Sequence, residues 1–451
     1  MAEIPDRLKL LLGKTGVSAG LMTGAQWQQT RTELTEEREQ GKYDLERLIP
    51  GEEIGAGDSK FWLVRRDYPL EYMQGKLPLG AALESASEQI ALSACDPDLE
   101  DFDPRTACFF DTETIGLAGG TGTVAFLIGA GYFIDGAFRL DQLFMRDFDE
   151  EEPMLEFLAE RLRACETVVG YNSKSFDLPL LRTRFIQNRI PFRGDALPHY
   201  DLVHAVRRIW KRRLQDCSLG NVEREVLDFH RVGDVPSYLI PQQWFDFLRM
   251  RDARPLKKIF EHHRNDILSL VTLTGWMSRC LSSPHGGGLE HTEDRLSLVR
   301  VHYRQKNYDA VVEHGWKFIE MEDRSPLRRE CLEMLGMALK RRQRFEEMQQ
   351  AFELLLSEFP SDLNARIELV KLHEHRTRDW GAAQRLCEEG LTLIRERTSG
   401  RFDTQDALLG AVALEDRLGR LLKKMEKGLG ARVKMKKGKG QANTAENEEE
   451  I

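Results

Sequence analysis

The chain has 451 residues, room for about three compact units at roughly 150 residues each, with 41% hydrophobic and 31% charged residues. That balance suits a helix-rich globular protein and excludes collagenous, mucin-like and wholly disordered chains. The 65 basic and 74 acidic residues leave a net charge of −9, so coating of nucleic acid by the protein as a whole is excluded and any such contact must be local.

Residues 1–50 are polar with little apolar periodicity, and predict a loosely attached arm. Within it only Leu8–Leu12 is apolar, and Lys9 interrupts it, which argues against a secretory leader. Residues 51–104 open on a predicted hairpin, Glu52–Tyr68, whose turn is Gly55–Asp58, with an alternating Phe61, Leu63, Arg65 pattern. It reads as an N-terminal extension.

Residues 105–281 are the most ordered stretch. Runs leading through Ala107–Phe110, Val124–Phe133 and Phe138–Met145 predict a three-stranded antiparallel meander. A helix with proline in its first turn, Pro153–Arg163, follows, then the strand Thr167–Tyr171 and a helix from Asp177 to Asn188. A meander followed by β/α alternation predicts a mixed sheet with flanking helices. Further helices are expected at Leu202–Arg213, Leu219–Val226, Gln242–Arg249 and Leu256–Cys280, before the glycine-rich linker Ser282–Gly288.

Residues 289–422 read as an all-α domain. Leu332, Leu335, Gly336, Leu339, Met348, Phe352, Leu355 and Pro360 fall on the spacing of a 34-residue helix-turn-helix repeat. Asn307–Ala310 and Asp379–Ala382 echo Arg344–Glu346 on either side, giving about three units. Residues 423–451, with a Lys/Gly stretch and acidic Glu446–Glu450, read as a disordered charged tail. Seven cysteines, at 95, 108, 165, 217, 280, 331 and 387, are scattered and lack a Cys-x-x-Cys pair. That excludes a disulfide framework and points to a cytoplasmic location. No run approaches the ~18 apolar residues of a membrane span.

Chemistry is concentrated in the acids. Asp111 and Glu113 sit two apart on a predicted strand, so their side chains leave one face. Paired carboxylates repel and are stabilised by a divalent cation, and oxygen ligands favour Mg²⁺ or Mn²⁺. Asp177 stands where the strand ending at Tyr171 gives way to a helix, and His262 and Asp266 share a helix face at i,i+4. In these three places the chain resembles the DEDD exonucleases of the ribonuclease H-like fold, and the whole layout, with tetratricopeptide (TPR)-like repeats after it, resembles the bacterial YprB-like predicted exonucleases.

The resemblance implies a ribonuclease H-like sheet and 3′–5′ exonuclease activity on single-stranded DNA or RNA ends. It also implies two metal ions ~3.5 to 4 Å apart, held by Asp111, Glu113, Asp177 and Asp266. One branch of the family carries a histidine five positions before the last aspartate, and the other a tyrosine four before it. Here those slots hold Glu261 and His262, so His262 is the expected base and His263 the weaker candidate.

Thr112, Asn172, Phe176 and Arg182 are candidate substrate contacts. Nine basic against two acidic residues between Pro179 and Arg213 could track a phosphate backbone or solvate helix faces. Tyr238, Trp244 and Phe245 could stack on bases, although core packing is favoured for Trp244 and Phe245. Gly119–Thr123 lacks the Gly-Lys-Ser/Thr ending of a phosphate loop, so ATP is not expected. The repeats could recruit a protein partner. The competing readings are an inactive scaffold of the same fold, disfavoured because unpaired buried carboxylates are costly, and an endonuclease.

Overall fold

The computed structural model describes residues 43–57, 59–116, 122–282, 288–398 and 409–426. The expected arm before residue 43, most of the glycine turn, the linker from 283 to 287 and the tail beyond 426 lie outside them. Contacts divide the chain into two units. One gathers the chain up to Tyr72 with Arg105–Leu197 and His230–Leu270; the other takes Met73–Pro104, Pro198–Phe229 and Val271 onward.

The first unit is built on a mixed sheet. Its strands are β1 (Glu52–Ala56), β2 (Ser59–Pro69), β3 (Ala107–Thr114), β4 (Ala125–Ile134), β5 (Ala137–Phe144) and β6 (Thr167–Gly170), side by side in the order β1-β2-β5-β4-β3-β6. β3, β4 and β5 form the expected antiparallel meander, and β6 joins β3 in parallel, with Ala107 opposite Thr167. The hairpin is part of this sheet and not an appendage, because β2 pairs with β5 from Trp62–Phe144 to Pro69–Ala137. Phe61, Trp62, Leu63 and Val64 are all buried, so β2 is covered on both faces and the alternation expected of a half-exposed strand is absent.

Helices Glu151–Ala164, Asp177–Gln187 and Ile240–Met250 belong to this unit, and the long helix Arg254–Ser282 begins in it. Trp244 is fully buried, stacks on Phe126 at 5.1 Å and donates its indole N–H to the Met145 carbonyl at 3.0 Å. It is a core residue. The long helix crosses β4 closely because that strand carries Gly129 and Gly131. A methyl group on either would lie 2.0 Å or 2.9 Å from the Ile267 side chain, closer than packed atoms allow.

The second unit is helical apart from short strands. Leu202–Leu214 packs against Thr292–Arg304, and Arg213 pairs with Asp294 at 2.9 Å. Tyr308–Met321, Pro326–Arg341, Phe345–Glu358, Leu363–Leu372 and Trp380–Thr398 follow. The Ser325 hydroxyl caps Pro326–Arg341 by accepting from the Arg328 N–H at 3.1 Å. Gly336 lets the next helix approach, since a methyl group there would lie 2.5 Å from the Phe352 ring. Leu332, Leu335, Leu339, Met348, Phe352 and Leu355 share one core. No described helix is long and apolar enough to cross a membrane.

Candidate metal centre

Because β3 and β6 run parallel, their carboxyl ends lie at one edge of the sheet, where chain crossings leave a crevice for ligands. β3 is buried through Phe110 and becomes partly exposed from Asp111 onward, so Asp111 and Glu113 emerge where the core ends. β6 is followed by a turn in which Asn172 takes a left-handed φ of 60°. That turn delivers Asp177 to the start of its helix, where it is 8% exposed. The Thr112 hydroxyl donates to Asp177 Oδ1, tying the two strand ends together.

The helix Arg254–Ser282 supplies the other groups. Asp266 and His262 lie one turn apart, with His262 Nε2 3.4 Å from Asp266 Oδ2 and 3.8 Å from Glu113 Oε1. Ligand atoms of Glu113, His262 and Asp266 all fall within 4.8 Å of one another. His262 Nδ1 faces away from them, 2.7 Å from Asp234 Oδ1. An N–H at Nδ1 donating to that carboxylate leaves the Nε2 lone pair toward the acids.

His263 has a different setting. It is completely buried, with Nε2 3.1 Å from the Asp111 carbonyl oxygen and Nδ1 3.2 Å from Gln142 Nε2. Nε2 therefore donates, and Nδ1 accepts from an amide that also donates to the Phe260 carbonyl at 3.0 Å. Burial pushes its pKa down to about 4, so it is a neutral ring fastening the helix to β3. Glu261, the neighbour on the other side, is exposed.

The acids are electrostatically frustrated. Burial raises the pKa of Asp111 well above the usual carboxylate range, and repulsion from Asp266, Asp177 and Glu113 adds to it. Glu113 is raised for the same reasons, burial first and then Asp266 and Asp177. Arg231 opposes both shifts.

Arg231 and Asp234 were not singled out by the sequence. They stand in the segment before Ile240–Met250, where no periodicity marks them. The available signal was an Arg-x-Gly-Asp in an irregular connection between helices. Arg231 Nη2 donates to Asp266 Oδ1 at 2.6 Å, and its Nη1 lies 3.1 Å from His262 Nδ1 and 3.4 Å from Asp234 Oδ2.

The candidate substrate contacts fall in different places. Thr112 is bonded to Asp177, Asn172 shapes the turn, and Phe176 stands 60% exposed just before Asp177. Arg182 forms a two-pronged pair with Asp195, both bonds 2.6 Å. Other members of the basic stretch are engaged likewise: Arg184 with Glu151 at 2.5 Å in the first unit, and Arg212 with Glu330 at 3.2 Å in the second.

Four carboxylates and one imidazole, several of them desolvated and mutually repelling, suit a hard divalent cation such as Mg²⁺ or Mn²⁺. Proton uptake is the alternative way of relieving that repulsion. Glu113, His262 and Asp266 are the residues whose ligand atoms come within 4.8 Å of one another, and Asp111 and Asp177 lie outside that group.

The RNase_H superfamily profile matches residues 108–278, the stretch that runs from β3 through the long helix. The chain is also 30% identical over 345 residues to a protein named "Uncharacterized protein YprB" from Bacillus subtilis (strain 168), covering 74% of this chain and 81% of that protein. On that identity and coverage, the chain belongs to the YprB family and carries a domain of the RNase_H superfamily.

Proposed function

We propose that this protein is a metal-dependent 3′–5′ exonuclease that hydrolyses phosphodiester bonds at single-stranded DNA or RNA ends. The observation that carries the reading is the grouping of Glu113, His262 and Asp266, whose ligand atoms lie within 4.8 Å of one another, with the His262 Nδ1 held 2.7 Å from Asp234 and Asp111 two residues before Glu113 on the same strand. The polarity is taken from the resemblance to DEDD exonucleases.

The four carboxylates would hold two Mg²⁺ or Mn²⁺ ions. When bound, such ions supply charge neutralisation on the attacking and leaving oxygens of an in-line displacement. His262 Nε2 accepts the proton of the attacking water, and Asp234 stabilises the imidazolium that results. Thr112 fixes the Asp177 carboxylate, and His263 holds the helix that bears Asp266. Phe176, exposed beside Asp177, offers a face on which a terminal base stacks, with Asn172 in the preceding turn and Arg182 on the helix that follows.

Residues 289–422 are read as TPR-like repeats that bind a protein partner, and the location as cytoplasmic. The proposed divisions are the arm 1–50, the extension 51–104, whose hairpin adds two strands to the nuclease sheet, the nuclease 105–281, the repeats 289–422 and the tail 423–451.

The test is cleavage of 5′-labelled single- and double-stranded DNA and RNA by the purified chain, with Mn²⁺ or EDTA. A ladder shortening from the 3′ end only with metal is expected. Cleavage of a substrate with a blocked 3′ end would make it an endonuclease, and no cleavage of any substrate would favour the scaffold.

A further inference from the structure

Arg231 is out of character for a surface ion pair. Its side chain is only 11% exposed, it holds Asp266 Oδ1 at 2.6 Å through Nη2, and its Nη1 reaches toward His262 Nδ1 and Asp234 Oδ2. Asp266 is one of the three residues whose ligand atoms lie within 4.8 Å of one another. The same guanidinium counters the repulsion felt by Asp111 and Glu113.

We propose that Arg231 is a built-in counter-cation whose hold on Asp266 Oδ1 lowers the affinity of the neighbouring carboxylates for a divalent ion. The proposal rests on the metal-site reading above and concerns how that site is loaded. A charge-assisted bond on Oδ1 draws carboxylate charge away from Oδ2, the oxygen that faces His262 and that a cation would share. A guanidinium kept close to the site also repels an incoming dication at short range, where water screens poorly.

Asp234, three residues away and 3.4 Å from Nη1, holds the guanidinium from its other end and keeps the positive charge beside the acids. Without Arg231, the repulsion among the acids would be greater. With it, the fold is held ready and weakly bound ions are screened out.

Isothermal titration of the full-length chain with Mn²⁺ at pH 8 tests this, using wild type, Arg231→Met and Arg231→Gln, with Asp111→Asn as the control for the site itself. Loss of this counter-cation should tighten Mn²⁺ binding by roughly ten- to a hundred-fold in both Arg231 variants. Their metal-free melting temperatures should fall, and saturating Mn²⁺ should restore them. Binding in both variants that is unchanged or weaker than wild type, while Asp111→Asn abolishes it, would overturn the proposal and leave the metal site standing. Equal binding by wild type and Asp111→Asn would overturn both.

Discussion

Gly129 faces the ring of His263: a methyl group in place of its hydrogen would lie 2.7 Å from His263 Cε1. The absent side chain is what lets the helix bearing His262 and Asp266 settle against β4, with His263 bonded to the Asp111 carbonyl. Gly129→Ala should therefore cost about 1–3 kcal/mol through overpacking and displace that helix. Denaturant unfolding checks the first effect. Mn²⁺ titration checks the second, since an unshifted helix would leave metal affinity unchanged.

Asp111→Asn should abolish cleavage while the fold survives, because it removes a carboxylate whose charge the metal-free protein already resists. Wild type should gain about 2.7 kcal/mol of stability at a metal concentration 100 times Kd. The double variant Asp111→Asn/Asp266→Asn should gain nothing. Thermal melts with and without Mn²⁺ measure both, and an equal response in the two proteins contradicts a shared site.

His262→Ala should lower turnover by ~10²- to 10⁴-fold, as expected for a lost general base. Asp234→Asn should lower it by ~10- to 100-fold, because an amide no longer stabilises the charged ring. In both, Mn²⁺ should still raise the melting temperature. His263→Ala should instead destabilise the fold, since that ring is buried with both nitrogens engaged. Rates and melts for the three variants separate a proton carrier, its orienting partner and a structural ring.

In the second unit, burial depresses the pKa of His302 to about 4. The folded protein keeps this imidazole neutral while the unfolded chain binds a proton below about pH 6.5. Its contribution to stability is therefore intact above pH 6.5 and is lost as the pH falls toward 4, by at most about 3 kcal/mol. His302→Gln should flatten the decline in melting temperature between pH 7 and 5. An identical decline in wild type and variant would show that His302 does not titrate with unfolding.

The interleaving of the two units bears on truncation. The long charged helix Leu202–Leu214 buries Val203, Val206 and Ile209, packs against Thr292–Arg304 and pairs Arg213 with Asp294. A fragment ending at residue 285 would lack that covering helix. It should bind hydrophobic dyes and melt without cooperativity, as judged by fluorescence and calorimetry. A sharply melting, dye-free fragment would contradict this.

Much of this was written in local pattern. Asp111-x-Glu113, Asp177 and the His262/Asp266 pair were joined into one candidate site by the resemblance to the DEDD exonucleases, while the strand and helices that carry them follow from spacing. So does the mixed sheet, because the meander and the β/α alternation are each signalled by short-range periodicity. The place of the hairpin was not legible, since a strand buried on both faces loses the alternation that tells an inner strand from an edge. Arg231 and Asp234 were hidden for another reason: they act from an irregular segment that meets the acids only in three dimensions. The basic run from Pro179 to Arg213 suggested a phosphate track, but Arg182, Arg184, Arg212 and Arg213 are engaged by acids that composition could not locate.

The acids come from widely separated stretches, and this sets a timetable for the newborn chain. Asp111 and Glu113 leave the ribosome early, but Arg231, Asp234 and then His262 and Asp266 follow only after the intervening segments have been made. At about 5–20 residues per second, that wait lasts many seconds. Throughout it β3 has no long helix to cover it, and its carboxylates lack the guanidinium that later steadies them. A half-made chain thus carries part of the acid set without the means to use it, and any nucleolytic power would arrive late and all at once.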